Sequence, residues 1–265
     1  MKKEKVTHEE FSTLELMAVC GSRAIRNGDV VFIGTGLPMV AALLAKRTHA
    51  QGAKIVFEAG FIDSNAKDIA LSIADSRLGY RASGAIGLIE TLGLMLQGGH
   101  VDVGFVGAAQ IDKYGNINTT YIGPFAKPAV RLPGSGGGND IVSSAKRIVV
   151  IMTHEKRKMV NKLDYLTSPG FLTGPGAREK AGLLGGGPSL VVTNLCQMDF
   201  DPETKCMRLA TVHPRVSVQQ VLENTEFELN VPSSVPITAC PTSEELRLLR
   251  AIDPDGIYIP RSTYK

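Results

Sequence analysis

The sequence predicts an α/β fold, an open, mostly parallel sheet with helices on both faces and an antiparallel hairpin in the C-terminal half. Three observations predict it. Apolar runs such as Val30–Ile33 and residues 55–57 have strand length and soon meet glycines, as strands buried on both faces do. Segments with apolar residues at helical spacing stand between them. Strands separated by helices of that length imply right-handed βαβ units.

The elements follow in order. Thr7 and Glu10 have capping-box spacing, and Phe11, Leu14, Met17, Ala18, Gly21 and Ile25 recur at helical intervals until Asn27-Gly28 closes the segment. Val30–Ile33 is a strand, Gly34-Thr35-Gly36 a turn, and Pro38 the first residue of a helix running to about His49. Residues 55–57 form a buried strand that ends on Glu58 and breaks at Gly60. A helix is expected over 85–97, stopped by Gly98-Gly99, then a strand over 101–106. Asp112 to Asn116 is rich in turn formers, and the glycine-rich stretch 133–140 precedes a short helix and a strand at 147–152. Residues 190–200 and Met207–Val212, split by Asp201-Pro202-Glu203-Thr204-Lys205, read as an antiparallel hairpin. Ser217 opens a helix to about Asn224, and Thr242 with Glu245 caps another that ends before Asp253-Pro254.

With 265 residues, no repeat and no low-complexity linker, residues 1–265 are read as one domain. A net charge of +3, scattered along the chain, argues against a nucleic-acid partner, and Lys156-Arg157-Lys158 reads as a solvated face. The four cysteines have no CxxC spacing and the histidines do not cluster with them, so neither a metal site nor a disulfide framework is expected. No apolar stretch follows the charged N-terminus and none approaches membrane-spanning length. The expectation is a cytoplasmic protein without membrane attachment.

Two features carry chemistry. In an open α/β sheet the carboxyl ends of the strands face the ligand crevice, so Glu58 is a candidate nucleophile, base or cation partner. The plain alternative is a strand-end carboxylate that meets solvent or a basic neighbour. The glycines from Gly134 to Gly138 allow backbone N–H groups to converge on a phosphate or a forming oxyanion, with Gly137 and Gly138 in close approach and at positive φ. Here the alternative is tight turning alone. The loop lacks the Lys-Ser/Thr ending of a triphosphate-binding loop, and Gly34-Thr35-Gly36 lacks the third glycine of a dinucleotide fingerprint.

Four ordered motifs together resemble the family I coenzyme A transferases, most of all their β-type subunit of the glutaconate type. They are Gly34-Thr35-Gly36-Leu37-Pro38, Glu58-Ala59-Gly60, the stretch from Gly107 to Asn118, and Gly134-Ser135-Gly136-Gly137-Gly138-Asn139-Asp140. The similarity runs from about residue 10 to 255 and takes in His154-Glu155-Lys156-Arg157 and Thr167-Ser168-Pro169-Gly170. The resemblance implies that Glu58 is the covalent nucleophile, with Ala59 where the family usually shows Ser or Asn. It implies that Gly136, Gly137 and Gly138, with Asn139 beside them, form the oxyanion and CoA-binding segment. Coenzyme A is then a substrate, with no permanently bound cofactor or metal, and acyl-CoA and a carboxylic acid are the reactants in a ping-pong exchange through a glutamyl-CoA thioester. An α-type subunit is the expected partner in a hetero-oligomer. Two alternatives remain open at this stage: an acyl-CoA hydrolase or decarboxylase of the same family, and a non-catalytic partner subunit.

Overall fold

The computed structural model describes residues 11–64 and 69–260. The cap expected at Thr7 and Glu10 lies outside them. The first helix, α1 (Thr13–Arg23), is instead capped by Ser12 and Glu15, each side chain accepting the other's backbone N–H. The helix ends at Arg23, and Ile25 is buried beyond its C-cap.

β1 (Val30–Ile33), α2 (Leu37–Arg47) and β2 (Lys54–Phe57) follow, with Leu37 rather than Pro38 as the first residue of α2. The chain then reverses through β3 (Phe61–Ile62), a 3-10 turn (Ser76–Gly79) and β4 (Gly84–Ala85). Contrary to the expectation of a helix over 85–97, residue 85 lies in a strand. Backbone hydrogen bonds from Ser83 to Ile62 (2.8 Å) and from Ile86 to Gly60 (3.0 Å) hold this stretch as an edge strand, so the regular helix is the π-helix Glu90–Gln97.

Next come β5 (Val103–Val106), β6 (Gln110–Ile111), β7 (Ile117–Asn118), β8 (Tyr121–Ile122) and β9 (Val130–Arg131). The remaining elements are α3 (Gly138–Ser144), β10 (Arg147–Ile151), α4 (Ala177–Lys180), β11 (Pro188–Val192), β12 (Cys196–Phe200), β13 (Met207–Val212), α5 (Val218–Glu223) and α6 (Ser243–Ile252). The apolar run at 190–200 is two strands rather than one. The Thr193 hydroxyl accepts the N–H groups of Leu195 (3.2 Å) and Cys196 (3.1 Å) and folds the chain back without glycine or proline. The hairpin of β12 and β13 forms as expected, and α5 and α6 carry the Ser217 and Thr242 caps read from the sequence.

The large sheet has nine strands in the order β13-β12-β11-β10-β5-β1-β2-β3-β4. The pairs from β11 to β2 are parallel and the outer pairs antiparallel, so only β12 and β3 run against the rest. Strand alternation sends Val31, Ile33, Ile55, Phe57 and Phe105 into a core with α1, α2 and α6. Phe32, Val56, Ile148 and Val150 pack on the opposite face with Ile141 and Val142 of α3, Leu96 of the π-helix and Val221 of α5. Gly104 lets α3 lie against β5, because a Cβ there would stand 2.4 Å from the Ile141 methyl. That seating matters for the site, since α3 begins at the end of the glycine loop.

Candidate active site

Glu58 is the first residue past β2, whose Ile55, Val56 and Phe57 are buried and paired in parallel with β1. Its backbone is therefore held by the core while its side chain is half-buried at the carboxyl edge of the sheet. The turn behind it is obligatory. Gly60 has φ +90°, its N–H donates to the Phe57 carbonyl (2.8 Å), and a Cβ would collide with the Ile86 carbonyl oxygen at 1.9 Å. Ala59, between them, is exposed.

The glycine loop reaches this carboxylate from 79 residues further along the chain, where the Gly137 N–H donates to Glu58 Oε1 at 3.1 Å. Both ends of the loop are anchored. Gly134 donates its N–H to the Thr119 carbonyl (2.9 Å) and accepts from the Thr119 hydroxyl (2.8 Å). At the other end the Asn139 side-chain amide donates to the Thr167 carbonyl (2.7 Å), and Thr167 is in turn bonded through its hydroxyl to the Thr119 N–H (2.9 Å). Asn139 thus anchors the loop, its side-chain amide taken up by the Thr167 carbonyl. Positive φ falls on Gly134 (+94°) and Gly136 (+48°), not on Gly137 or Gly138 as the sequence suggests. What marks Gly137 is proximity, because a Cβ there would lie 3.0 Å from Glu58 Oε1, and at Gly136 the same oxygen is 4.0 Å away.

The arrangement joins a carboxylate to a neutral hydrogen-bond donor in a fixed loop, a pairing whose chemistry suits nucleophilic acyl transfer. A competing constellation is present elsewhere. Cys196 Sγ lies 3.6 Å from His154 Nδ1, but burial pushes the thiol up to about 12 and the imidazole down to about 4. The pair is uncharged and enclosed, which suits packing and not nucleophilic attack. Among the described residues no group of His, Cys, Asp and Glu side chains is placed to hold a metal ion, and no helix is long and apolar enough to cross a membrane. Thr119, Thr167 and Ser168 have no role legible in the sequence by themselves. Their one signal is the turn-forming Thr167-Ser168-Pro169-Gly170.

A sequence model described as Coenzyme A transferase matches residues 14–224. The chain is 41% identical over 243 residues to the B subunit of the 3-oxoadipate CoA-transferase of Pseudomonas knackmussii, covering 92% of this chain and 94% of that protein. It is 40% identical over 258 residues to the B subunit of the glutaconate CoA-transferase of Acidaminococcus fermentans, covering 95% and 96% of the two. The crystal structure of glutaconate coenzyme A-transferase from the same organism superposes with a TM-score of 0.88 and 37% identity, across 96% of this chain and 99% of that one.

Proposed function

The chain belongs to the coenzyme A transferase family, and from that premise we propose that it is the β-type subunit of a heteromeric enzyme that moves coenzyme A between an acyl-CoA and a carboxylate through Glu58. The observation that carries the reading is the 3.1 Å hydrogen bond from the Gly137 amide to Glu58 Oε1. It ties the strand-end carboxylate of the site to the loop that supplies backbone donors.

The chemistry then balances without water, metal or nucleotide. Glu58 attacks the thioester carbonyl of the donor, the carbon–sulfur bond breaks, and a mixed anhydride and CoA thiolate result. The thiolate adds to the glutamyl carbonyl and expels the donor's free carboxylate, leaving a glutamyl-CoA thioester. An acceptor carboxylate reverses both steps. While the thiolate adds, negative charge develops on the glutamyl oxygen, and the Gly137 N–H is already within bonding distance of such an oxygen. A neutral donor held in place before the reaction is the arrangement that favours the charged transition state over the ground state.

The carboxylic acids named for the two relatives, 3-oxoadipate and glutaconate, support a dicarboxylic acid as one reactant. Both relatives are B subunits, which supports an α-type partner. Four free cysteines suit a reducing, cytoplasmic setting.

The test is chemical. In the assembled enzyme, Glu58→Ala and Glu58→Gln should abolish transfer, and Glu58→Asp should lose about 10²-fold because the carboxylate retreats by about 1 Å. Incubation with donor and no acceptor should add the mass of CoA to Glu58, removable by hydroxylamine and absent in Glu58→Gln. A Glu58→Ala enzyme with more than a few per cent of normal turnover rules the assignment out, and turnover that needs no acceptor marks a hydrolase instead.

A further inference from the structure

A cavity of about 300 Å³ lies on the inner side of the glycine loop, at the carboxyl end of β5. Its walls are Val106, Ile117 and Leu132 with the hydroxyl residues Thr119, Ser135 and Ser168, and no lining residue carries a charge. Gly138 forms part of the rim, and Gly138 adjoins the residue whose amide holds Glu58. The cavity therefore opens one residue away from the nucleophile's partner.

Ser168 is the informative wall. The residue is only 3% exposed, and its backbone is fixed against β7, donating to the Ile117 carbonyl (3.0 Å) and accepting the Ile117 N–H (2.9 Å). Its hydroxyl nevertheless makes no hydrogen bond to another described residue, although it is not sealed from the cavity. A Cβ on Gly138 would meet that oxygen at 3.8 Å, so the hydroxyl faces the rim beside the loop. Thr119 differs, since its hydroxyl already donates to Gly134. A rigidly placed, nearly buried donor without a protein partner is a group kept for a ligand.

Resting on the transferase reading, we propose that this pocket receives the acyl group of the reactants, a short chain lying against the apolar walls with an oxygen substituent accepting a hydrogen bond from the Ser168 hydroxyl. A neutral oxo or hydroxyl oxygen is the partner for Ser168, and because the lining holds no cation the second carboxylate of a dicarboxylic reactant is held beyond this pocket. Ala109, also in the lining, and Leu132 set how long a chain the pocket accepts.

The experiment uses the enzyme assembled with its α-type partner, assayed with acetyl-, butanoyl-, 3-oxobutanoyl- and glutaryl-CoA as donors. Ala109→Leu should lower kcat/KM for the butanoyl ester relative to the acetyl ester by about tenfold or more, and Leu132→Ala should shift the same ratio the other way. Ser168→Ala should lower kcat/KM for 3-oxobutanoyl-CoA about tenfold relative to butanoyl-CoA, leaving the butanoyl-to-acetyl ratio in place. Ratios that stay constant in all three variants, including a loss equal for every ester, overturn the pocket assignment while the transferase reading stands. An unmodified enzyme that transfers CoA from none of the four esters fails the transferase reading, and the pocket assignment with it.

Discussion

A methyl group on residue 137 would stand 3.0 Å from Glu58 Oε1, whereas one on residue 138 meets only Ser168 Oγ, at 3.8 Å. Gly137→Ala should therefore displace the carboxylate and lower turnover by about 10²–10³, with little change in thermal unfolding. Gly138→Ala should stay within a few-fold of normal. Equal effects of the two on steady-state turnover would show that the loop acts through its fold and not through its contact with Glu58. The glycine count makes this loop conspicuous in the sequence, but which glycine touches the carboxylate depends on how Thr119 and Asn139 anchor the two ends, and those contacts join residues far apart in the chain. His154 carries a second single-residue consequence. Burial lowers its pKa from 6.5 to about 4, so between those values the unfolded chain binds the proton and the folded chain resists it. The stability His154 contributes is complete above pH 6.5 and is lost as pH falls toward 4, by up to about 3 kcal/mol. Urea melts at pH 7 and pH 5 should show the loss, and His154→Gln should make it smaller.

At the scale of elements, Arg178 holds the site's supports together. It is 4% exposed, and every bond it makes is to a carbonyl: Gly185 (3.1 Å), Pro169 and Gly170 (both 2.8 Å), Val142 (3.1 Å) and Ser143 (3.2 Å). One guanidinium thus fastens the end of α3, which carries the glycine loop, to the turn that presents Ser168. Lysine has the charge but not the fork, so Arg178→Lys and Arg178→Met should each cost about 3 kcal/mol and lower Tm by roughly 6–12 °C. A calorimetric Tm within about 2 °C of normal would contradict this. Elements whose signals are local are legible in the sequence, as with β1, α2, β2 and the helices begun by Ser217 and Thr242. Those decided by distant partners are not. The helix expected from residue 85 begins only at Glu90, because Phe61 and Ile62 capture Gly84 and Ala85 as an edge strand. Arg178 reads as one more surface cation until the carbonyls around it are assembled.

Across the whole molecule, apolar side chains are left exposed beyond β2. Leu88, Ile89 and Leu94, around the π-helix that follows the Gly60–Ile86 contact, are 59%, 81% and 67% exposed. Apolar side chains grouped near a site that has to exclude water are what an obligate interface between subunits covers. Expressed alone, the chain should be inactive and self-associate on size-exclusion chromatography. Co-expressed with an α-type subunit it should elute as a defined complex with transferase activity, and full activity from the isolated chain would refute the dependence. The hydrogen bond between Glu58 and Gly137 has one more consequence, in time. It joins positions 79 residues apart, over a sheet in which β5 pairs in parallel with β1 and β10 with β5, and such non-local contacts are slow to form. A chain still emerging from synthesis carries Glu58 long before the loop whose Gly137 amide bonds it. Under the proposed mechanism reactivity is withheld from incomplete or misassembled chains, and formation of the glutamyl adduct would itself mark a chain that has finished folding.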